Sequence, residues 1–482
     1  MDKNNQAIHL KKEILVKVIK AFYSDNFPES TRLIPFEMRP KGSEVPYRCC
    51  IYKEREIIRN RTIAGLGYPM EGADERLLLS GYAEGSLKRE KPDEQMLTVL
   101  ELACKGCVPN RIFVTDLCQG CVARPCLENC KFDAIKIVNG KSQIDSSKCK
   151  LCTKCIQVCP YHAIVKLVVP CENVCPVGAI SKDEQGHARI DFEKCIACGK
   201  CVSACPFGAI HEKSQIIDIL NKIKQGKKVV AMIAPSIAGQ LPGNIYQIKT
   251  ALLMCGFYDV LEVAQGADIT AKNEAKEFAQ RIENNEPFMT TSCCAGYNNL
   301  VDKHMSEIAK YRSDTKTPAY YTAELCKQKY PDCISVFVSP CVAKKSEAQK
   351  NDNIDYVMNY EEMGALFIAN KIEVSELEPT PFDVESSREG RNFGIVGGVA
   401  ESVKAADCNK TDVKPYVING INKDTIRELR TYAKKGECDK GNLIEVMCCE
   451  GGCVGGNACI NTIRTATKSI NDFTKDSKPI CE

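Results

Sequence analysis

The chain has 482 residues, a formal net charge of +3 and 44% hydrophobic residues, a length that suits about three domains with buried cores. So small a net charge gives no pull toward nucleic acid or an anionic membrane surface, and no apolar run approaches the ~18 residues of a membrane span. Cysteine is the outlier, with 31 residues, many spaced Cys-x2-Cys in a long chain. That pattern points to metal ligation in a reducing compartment, not to a secreted disulfide scaffold, which is normally short. The polar start, Met1-Asp2-Lys3-Asn4-Asn5-Gln6, has no apolar targeting core, so the expected location is the cytoplasm.

Residues 1–103 read as mostly helical, with Glu13 to Lys20 one helical stretch and Ile51 to Ile63 charged with apolar interruptions. The role of this segment is not legible, and Cys49 and Cys50 have no partner motif nearby. Residues 104–212 hold a dense cysteine ladder. Two runs, Cys149-Cys152-Cys155-Cys159-Pro160 and Cys195-Cys198-Cys201-Cys205-Pro206, have the spacing that binds 4Fe–4S cubanes in bacterial ferredoxins. There the fourth cysteine of each run ligates the neighbouring cluster. An earlier run, Cys118-Cys121-Cys126-Cys130, carries one extra residue and lacks the proline. Exchange then predicts one cluster on Cys118, Cys121, Cys126 and Cys159, and a second on Cys149, Cys152, Cys155 and Cys130. A half-run, Cys171-x3-Cys175-Pro176, gives Cys175 to Cys195, Cys198 and Cys201. Cys171 and Cys205 are left two ligands short, and Cys104-x2-Cys107 is the nearest donor pair; a zinc half-site or free thiols are the alternatives for that pair. The tails after Cys159, Cys175 and Cys205 repeat, which supports an internal repeat of ferredoxin-like α+β modules. His162 in one tail is expected to pack or face solvent.

Residues 213–482 change character. Strands are expected at Lys227 to Pro235, Phe257 to Ala264, Cys333 to Val338, Ile354 to Asn359, Phe393 to Val396 and Leu443 to Met447. Helices are expected at Asn244 to Gly256 and Ala271 to Asn284. Such alternation argues for parallel α/β units with a site beyond the strand C-termini. Three cysteine motifs lie at such places: Thr291-Ser292-Cys293-Cys294-Ala295-Gly296-Tyr297, Ser339-Pro340-Cys341-Val342-Ala343-Lys344-Lys345-Ser346-Glu347, and Glu445-Val446-Met447-Cys448-Cys449-Glu450-Gly451-Gly452-Cys453. Four thiolates delivered in this way can hold a cubane.

In order and spacing the three motifs resemble the signatures of the iron-only (FeFe) hydrogenases, over roughly residues 228–460. The resemblance implies two twisted, mostly parallel sheets flanked by helices, with the cluster in the cleft between lobes. It implies that Cys294, Cys341, Cys449 and Cys453 ligate a 4Fe–4S cubane, and that Cys453 bridges to a diiron subcluster carrying CO, cyanide and a dithiolate. Lys344 would hydrogen-bond a cyanide. Pro235 and Ser236, Ser339 and Met447 would pack around the diiron unit. Cys293 would be the last proton donor, fed by Glu274, Ser313, Glu277 and Arg281 in the family's Cys–Glu–Ser–Glu–Arg order. On periodicity alone Glu274, Glu277 and Arg281 share one helix face, which also suits a plain Glu277–Arg281 ion pair. Cys448 stands where the family usually has a small residue and reads as packing. The sequence departs from the family at Ala295, Tyr297 and Ser339, where Pro, Trp and Met are usual, and so resembles a divergent branch of the monomeric clostridial-type enzymes.

The implied activity is reversible reduction of protons to hydrogen. Electrons would come from a ferredoxin or flavodoxin-like carrier through about four accessory 4Fe–4S clusters, and dedicated maturation proteins would insert the diiron unit. No nucleic acid or membrane partner is expected. The rival readings are a hydrogen-sensing regulatory protein, and a hydrogenase-like iron–sulfur assembly protein without diiron chemistry.

Overall fold

A computed structural model of the chain describes residues 6–42, 49–92, 94–408 and 411–481. Met1 to Asn5, at the polar start, lie outside the described residues. The first four helices are α1 (Gln6–Phe22), α2 (Phe27–Met38), α3 (Ile51–Gly65) and α4 (Leu79–Lys88). Along α1, Ile14, Leu15, Val18, Ile19 and Phe22 recur at helical spacing and are buried. They join one continuous core with Val229, Ile233, Val336 and Met358 of the third region. The N-terminal helices are therefore a built-in wall of that region, a role that their sequence did not reveal.

The cluster region is made of short elements: β1 (Leu97–Val99), β2 (Arg111–Val114), α5 (Pro125–Glu128), β3 (Ile135–Val138), β4 (Lys141–Ile144), α6 (Lys154–Val158), β5 (Ile164–Leu167), α7 (Pro170–Val174), β6 (Ile180–Lys182), β7 (Ala188–Ile190), α8 (Lys200–Ala204) and β8 (Ile210–Glu212). Antiparallel pairs β2–β5, β3–β4, β6–β7 and β1–β8 build two modules. Strand β1 falls before the boundary at residue 103 expected from sequence, yet pairs with β8 of the second module. The internal repeat shows in the backbone as well. Leu151 and Thr153 in one cysteine loop, and Ala197 and Gly199 in the other, all take left-handed φ between 55° and 74°. For Leu, Thr and Ala this is costly. The winding turns main-chain N–H groups toward sulfur: Ala197 N donates to Cys195 Sγ at 3.4 Å, and Ala179 N and Ala209 N donate likewise to Cys175 (3.2 Å) and Cys205 (3.4 Å).

The third region continues with α9 (Ile216–Lys224), β9 (Val229–Ile233), α10 (Ile245–Met254), β10 (Asp259–Glu262), α11 (Ala264–Glu283), β11 (Met289–Thr290), α12 (Ala295–His304), α13 (Pro318–Lys329), β12 (Ile334–Ser339), α14 (Ala343–Ala348), β13 (Tyr356–Asn359), α15 (Tyr360–Ala369), α16 (Arg388–Asn392), α17 (Gly398–Ala406), β14 (Pro415–Asn419), α18 (Lys423–Lys435), β15 (Leu443–Met447) and α19 (Ile463–Thr474). Two wholly parallel sheets result, ordered β10-β9-β12-β13 and β11-β15-β14. Phe393 to Val396 is not the strand expected from its apolar run. It follows α16 as a turn in which Gly394 presses on the Ser236 backbone, where a Cβ would stand 2.9 Å from Ser236 N. Val396 N bonds Gly451 O at 3.1 Å, so its hydrogen-bonding capacity goes to the third cysteine motif. Helix α11 begins at Ala264, seven residues before the expected start. Gly266 permits this by lying against Pro318 O of α13, where a Cβ would come within 2.1 Å.

Candidate metal centre and proton path

The three cysteine motifs leave the C-terminal ends of β11, β12 and β15, and Pro235 and Ser236 leave the end of β9. All converge on one cavity of about 80 Å3 between the sheets. Its lining includes the four proposed cubane ligands Cys294, Cys341, Cys449 and Cys453, together with Cys293, Pro235, Ser236, Ser339, Lys344 and Met447. Burial, and then the charge of neighbouring thiols, holds Cys294, Cys341 and Cys453 above the ordinary thiol range. Four thiols lining one buried cavity are the donor set of a 4Fe–4S cubane, whose iron would supply the positive charge that favours thiolates there. The donor set therefore fits a cubane.

Lys344 reaches into the same cavity. Its Nζ donates to Glu347 Oε2 at 2.6 Å and to Cys293 O at 3.4 Å. Burial alone would lower its pKa, but Glu347 outweighs burial and keeps the ammonium charged. Glu347 in turn accepts from Thr317 Oγ1 at 2.5 Å. Ser236 Oγ pairs with the buried Tyr360 hydroxyl at 2.7 Å. Thr317, Glu347 and Tyr360 were not singled out as functional in the sequence. Glu347 stands in the quoted second motif, whereas Thr317 and Tyr360 carry no local signal.

The accessory thiols also group. Cys118, Cys121, Cys126 and Cys159 line one cavity of about 20 Å3. Cys104, Cys107, Cys171 and Cys205 line another of about 10 Å3. Cys201 is held high by burial and then by Cys198, Cys195, Cys175 and Cys171. Cys155 is pushed up to about 11 by burial and then by Cys149 and Cys152. Cys130 packs in the same small core as Cys149 and Cys155. His162 is exposed.

From Cys293 a line of protonatable groups runs toward solvent. Burial, and then the charge of Glu274, drives the Cys293 thiol well above its ordinary range. Glu274 is fully buried, and burial pushes its carboxyl up to about 7. Its Oε1 accepts from Ser292 N (3.0 Å) and Ser292 Oγ (3.2 Å), while Oε2 makes no hydrogen bond among the described residues. Ser313 lies near enough to Glu274 to lower its pKa, and its Oγ donates to Glu277 Oε2 at 2.6 Å. Burial would raise Glu277, but hydrogen bonds from Ser313, Asp314 N and Arg281 hold it below the ordinary value. Arg281 Nε donates to Glu277 Oε1 at 2.9 Å, and its NH1 donates to the partly exposed Glu286 at 2.9 Å. The Glu277–Arg281 ion pair expected from the helix face is present, and it lies at the outer end of this line of groups.

Cys448 is 4% exposed and lies in the core shared by α12 and β15, with Cys198 and Cys294 packed against that core, as a packing residue would.

The iron only hydrogenase large subunit, C-terminal domain, matches residues 227–457. An LdpA Fe-S cluster-binding domain matches residues 167–216, and a 4Fe-4S binding domain matches residues 141–164. Iron hydrogenase 1 of Clostridium pasteurianum is 30% identical over 394 residues, covering 69% of this chain and 67% of that protein. The periplasmic (Fe) hydrogenase large subunit of Nitratidesulfovibrio vulgaris is 28% identical over 375 residues, covering 65% of this chain and 85% of that protein. Cytosolic iron-sulfur assembly component 3 of Rattus norvegicus is 24% identical over 328 residues, covering 54% of this chain and 68% of that protein.

Proposed function

The chain belongs to the iron-only hydrogenase family, and from that premise we propose that it is itself a hydrogenase, reversibly reducing protons to molecular hydrogen. The observation that carries this reading is the proton line: Cys293, Glu274, Ser313, Glu277 and Arg281 stand in sequence from the cavity wall toward solvent. A protein that only stores or transfers iron–sulfur clusters has no use for such a line.

In this reading Cys294, Cys341, Cys449 and Cys453 hold a 4Fe–4S cubane, with Cys453 shared with a diiron group. That group, when bound, supplies the open iron site where protons and electrons combine. The protein's own part is to bring protons and exclude water. Cys293 keeps a proton on Sγ at neutral pH because it is buried near Glu274. Glu274, with a pKa of about 7, gains and loses a proton at little cost, which suits a relay at neutral pH. Ser313 passes its proton inward to Glu274 and takes another from Glu277. Glu277, held ionised by hydrogen bonds from Ser313, Asp314 N and Arg281, collects protons from the surface. Lys344 places a cation beside the anionic ligands, and Met447 and Phe393 close the apolar wall.

Sixteen accessory cysteines would hold four more cubanes, fed by a ferredoxin or flavodoxin-like carrier. We place the protein in the cytoplasm and in a divergent monomeric clostridial-type branch; among the described residues no helix is long and apolar enough to cross a membrane. The assembly-protein reading draws on the cytosolic iron-sulfur assembly relative. Infrared spectroscopy of matured protein, with a hydrogen-evolution assay, separates the two. Bands from CO and cyanide with turnover are expected; their absence after maturation favours the assembly role.

A further inference from the structure

Two cysteines outside every proposed set of cluster ligands meet at the surface of the third region. Cys408 follows α17 and Cys481 lies beyond α19, and both are exposed. Their Sγ atoms are 2.7 Å apart. The two thiols sit over the last turn of α17, where Cys481 Sγ donates to Ala405 O at 3.1 Å and Cys408 Sγ to Ala406 O at 3.7 Å. Cys408 takes a left-handed φ of 52° just past the helix end, a position that usually falls to glycine or asparagine. A residue with a larger side chain is costly there, and here it brings a thiol to Cys481.

The segment that carries Cys481 runs across α16 and α17 and is tied at successive residues. Ser477 Oγ accepts from Arg391 NH1 at 2.9 Å, Lys478 O accepts from Arg388 N at 2.8 Å, and Ile480 N donates to Oε2 of the buried Glu389 at 2.8 Å. Ile480 packs in one core with Cys293, Phe393, Val399 and Met447, and Ala405 and Ala406 of α17 lie against the same core. Cys293, Phe393 and Met447 also line the cysteine cavity. The segment is therefore an outer wall of that site, and Cys481 stands one residue past the side chain that fills the wall.

We propose that Cys408 and Cys481 form a disulfide on oxidation by a low-molecular-weight disulfide, and that this bond locks the segment after α19 onto α17. The step is thiol–disulfide exchange. One cysteine gives up its proton, and its sulfur displaces R–S⁻ from R–S–S–R to leave a mixed disulfide. The second cysteine gives up its proton and displaces the other R–S⁻. Two protein S–H bonds and one R–S–S–R bond break, while one protein disulfide and two R–S–H form. The protein loses two electrons and two protons, and the small disulfide gains them. Exposure selects this pair. Cys326 and Cys333 also face each other, at 3.5 Å, but they are only 0% and 3% exposed, inside another core and out of reach of such an oxidant. Exposed disulfides are the labile ones, made and broken as the surrounding thiol poise changes. Closing this one joins α17 to the segment that holds Ile480, so the wall beside Cys293 and Met447 opens less often. The inference rests on neither bound clusters nor hydrogen chemistry.

The test uses the full chain with its 4Fe–4S clusters reconstituted, held anaerobically over a range of ratios of oxidised to reduced glutathione. Alkylation under denaturing conditions and peptide mass spectrometry read the bond. Hydrogen–deuterium exchange of residues 475–481 reads the segment. Expected is a crosslinked peptide pair joining Cys408 to Cys481, lighter by two hydrogens and reversed by dithiothreitol, with Cys326 and Cys333 still alkylated. Exchange of the segment should be slower in the oxidised protein than in the reduced one. Cys408→Ser and Cys481→Ser should exchange alike at every glutathione ratio. Absence of the crosslink at all ratios overturns the pair, and so does glutathione retained separately on Cys408 or Cys481. A crosslink with unchanged exchange overturns the lock, as does slowing that persists in both serine variants.

Discussion

Replacing Glu274 by Gln isolates the charge on this buried carboxyl at almost constant volume. Burial raises this group from its ordinary 4.5 to about 7, which at about 1.36 kcal/mol per pH unit corresponds to roughly 3 kcal/mol. The sign follows from where each state ionises. Below pH 4.5 the carboxyl is protonated in both folded and unfolded chains, and Glu274 costs nothing. Above its folded pKa the folded chain must hold a buried carboxylate, so stability is lost as pH rises through about 7. Glutamine never ionises. Its carbonyl can accept the two Ser292 hydrogen bonds, and any penalty for its unpaired amide is the same at every pH. The predicted result is therefore a stability difference that changes with pH. The variant should gain about 2.5 kcal/mol on the native protein between pH 5 and pH 8.5, read as a shift in anaerobic melting temperature. Hydrogen turnover should fall by about 10²–10⁴-fold, because an amide cannot pass a proton. An offset that is equal at both pH values would refute the burial argument. Unchanged turnover would remove Glu274 from the proton line.

Cys293→Ala should leave the infrared bands and iron content in place while lowering turnover by about 10²–10⁴-fold; near-native hydrogen production would sink its role as donor. Cys104→Ala combined with Cys107→Ala should reduce iron by about four atoms per chain, whereas unchanged iron with loss of zinc would assign the pair to a zinc half-site. Lys345 lies fully buried with Nζ 2.6 Å from Glu212 and 3.6 Å from Glu362. It thus ties the second cluster module to the third region, and Lys345→Met should cost about 3–5 kcal/mol by stranding buried carboxylates. An unchanged melting curve would show that those groups simply take up protons.

The amino-acid order by itself determined what depends on short spacing. A Cys-x2-Cys-x2-Cys-x3-Cys run carries its own local backbone geometry, so the two long runs could be picked out, and the structure brings Cys159 to the cavity lined by Cys118, Cys121 and Cys126. Cys104 and Cys107 were reached by counting thiols, and the structure brings them to Cys171 and Cys205. The strands under the second and third cysteine motifs were legible because buried parallel strands are short apolar runs. Leu443 to Met447 came out as expected, whereas Phe393 to Val396 has the same apolar look but becomes a turn, because Gly394 must pass the Ser236 backbone. What periodicity left undecided, tertiary structure decided. Glu277 and Arg281 suit either a surface ion pair or a relay; the burial of Glu274 and the position of Ser313 at Glu277 make the arrangement a line into the protein. The N-terminal helices gave no sign that they would share a core with β9 and β12, since apolar spacing tells which face is buried and not what covers it. Cys448 was one more small apolar residue in sequence. Only the docking of two regions buries it in one core with Ile196 and Cys198 of the second cluster module, because contact across a seam depends on surfaces hundreds of residues apart.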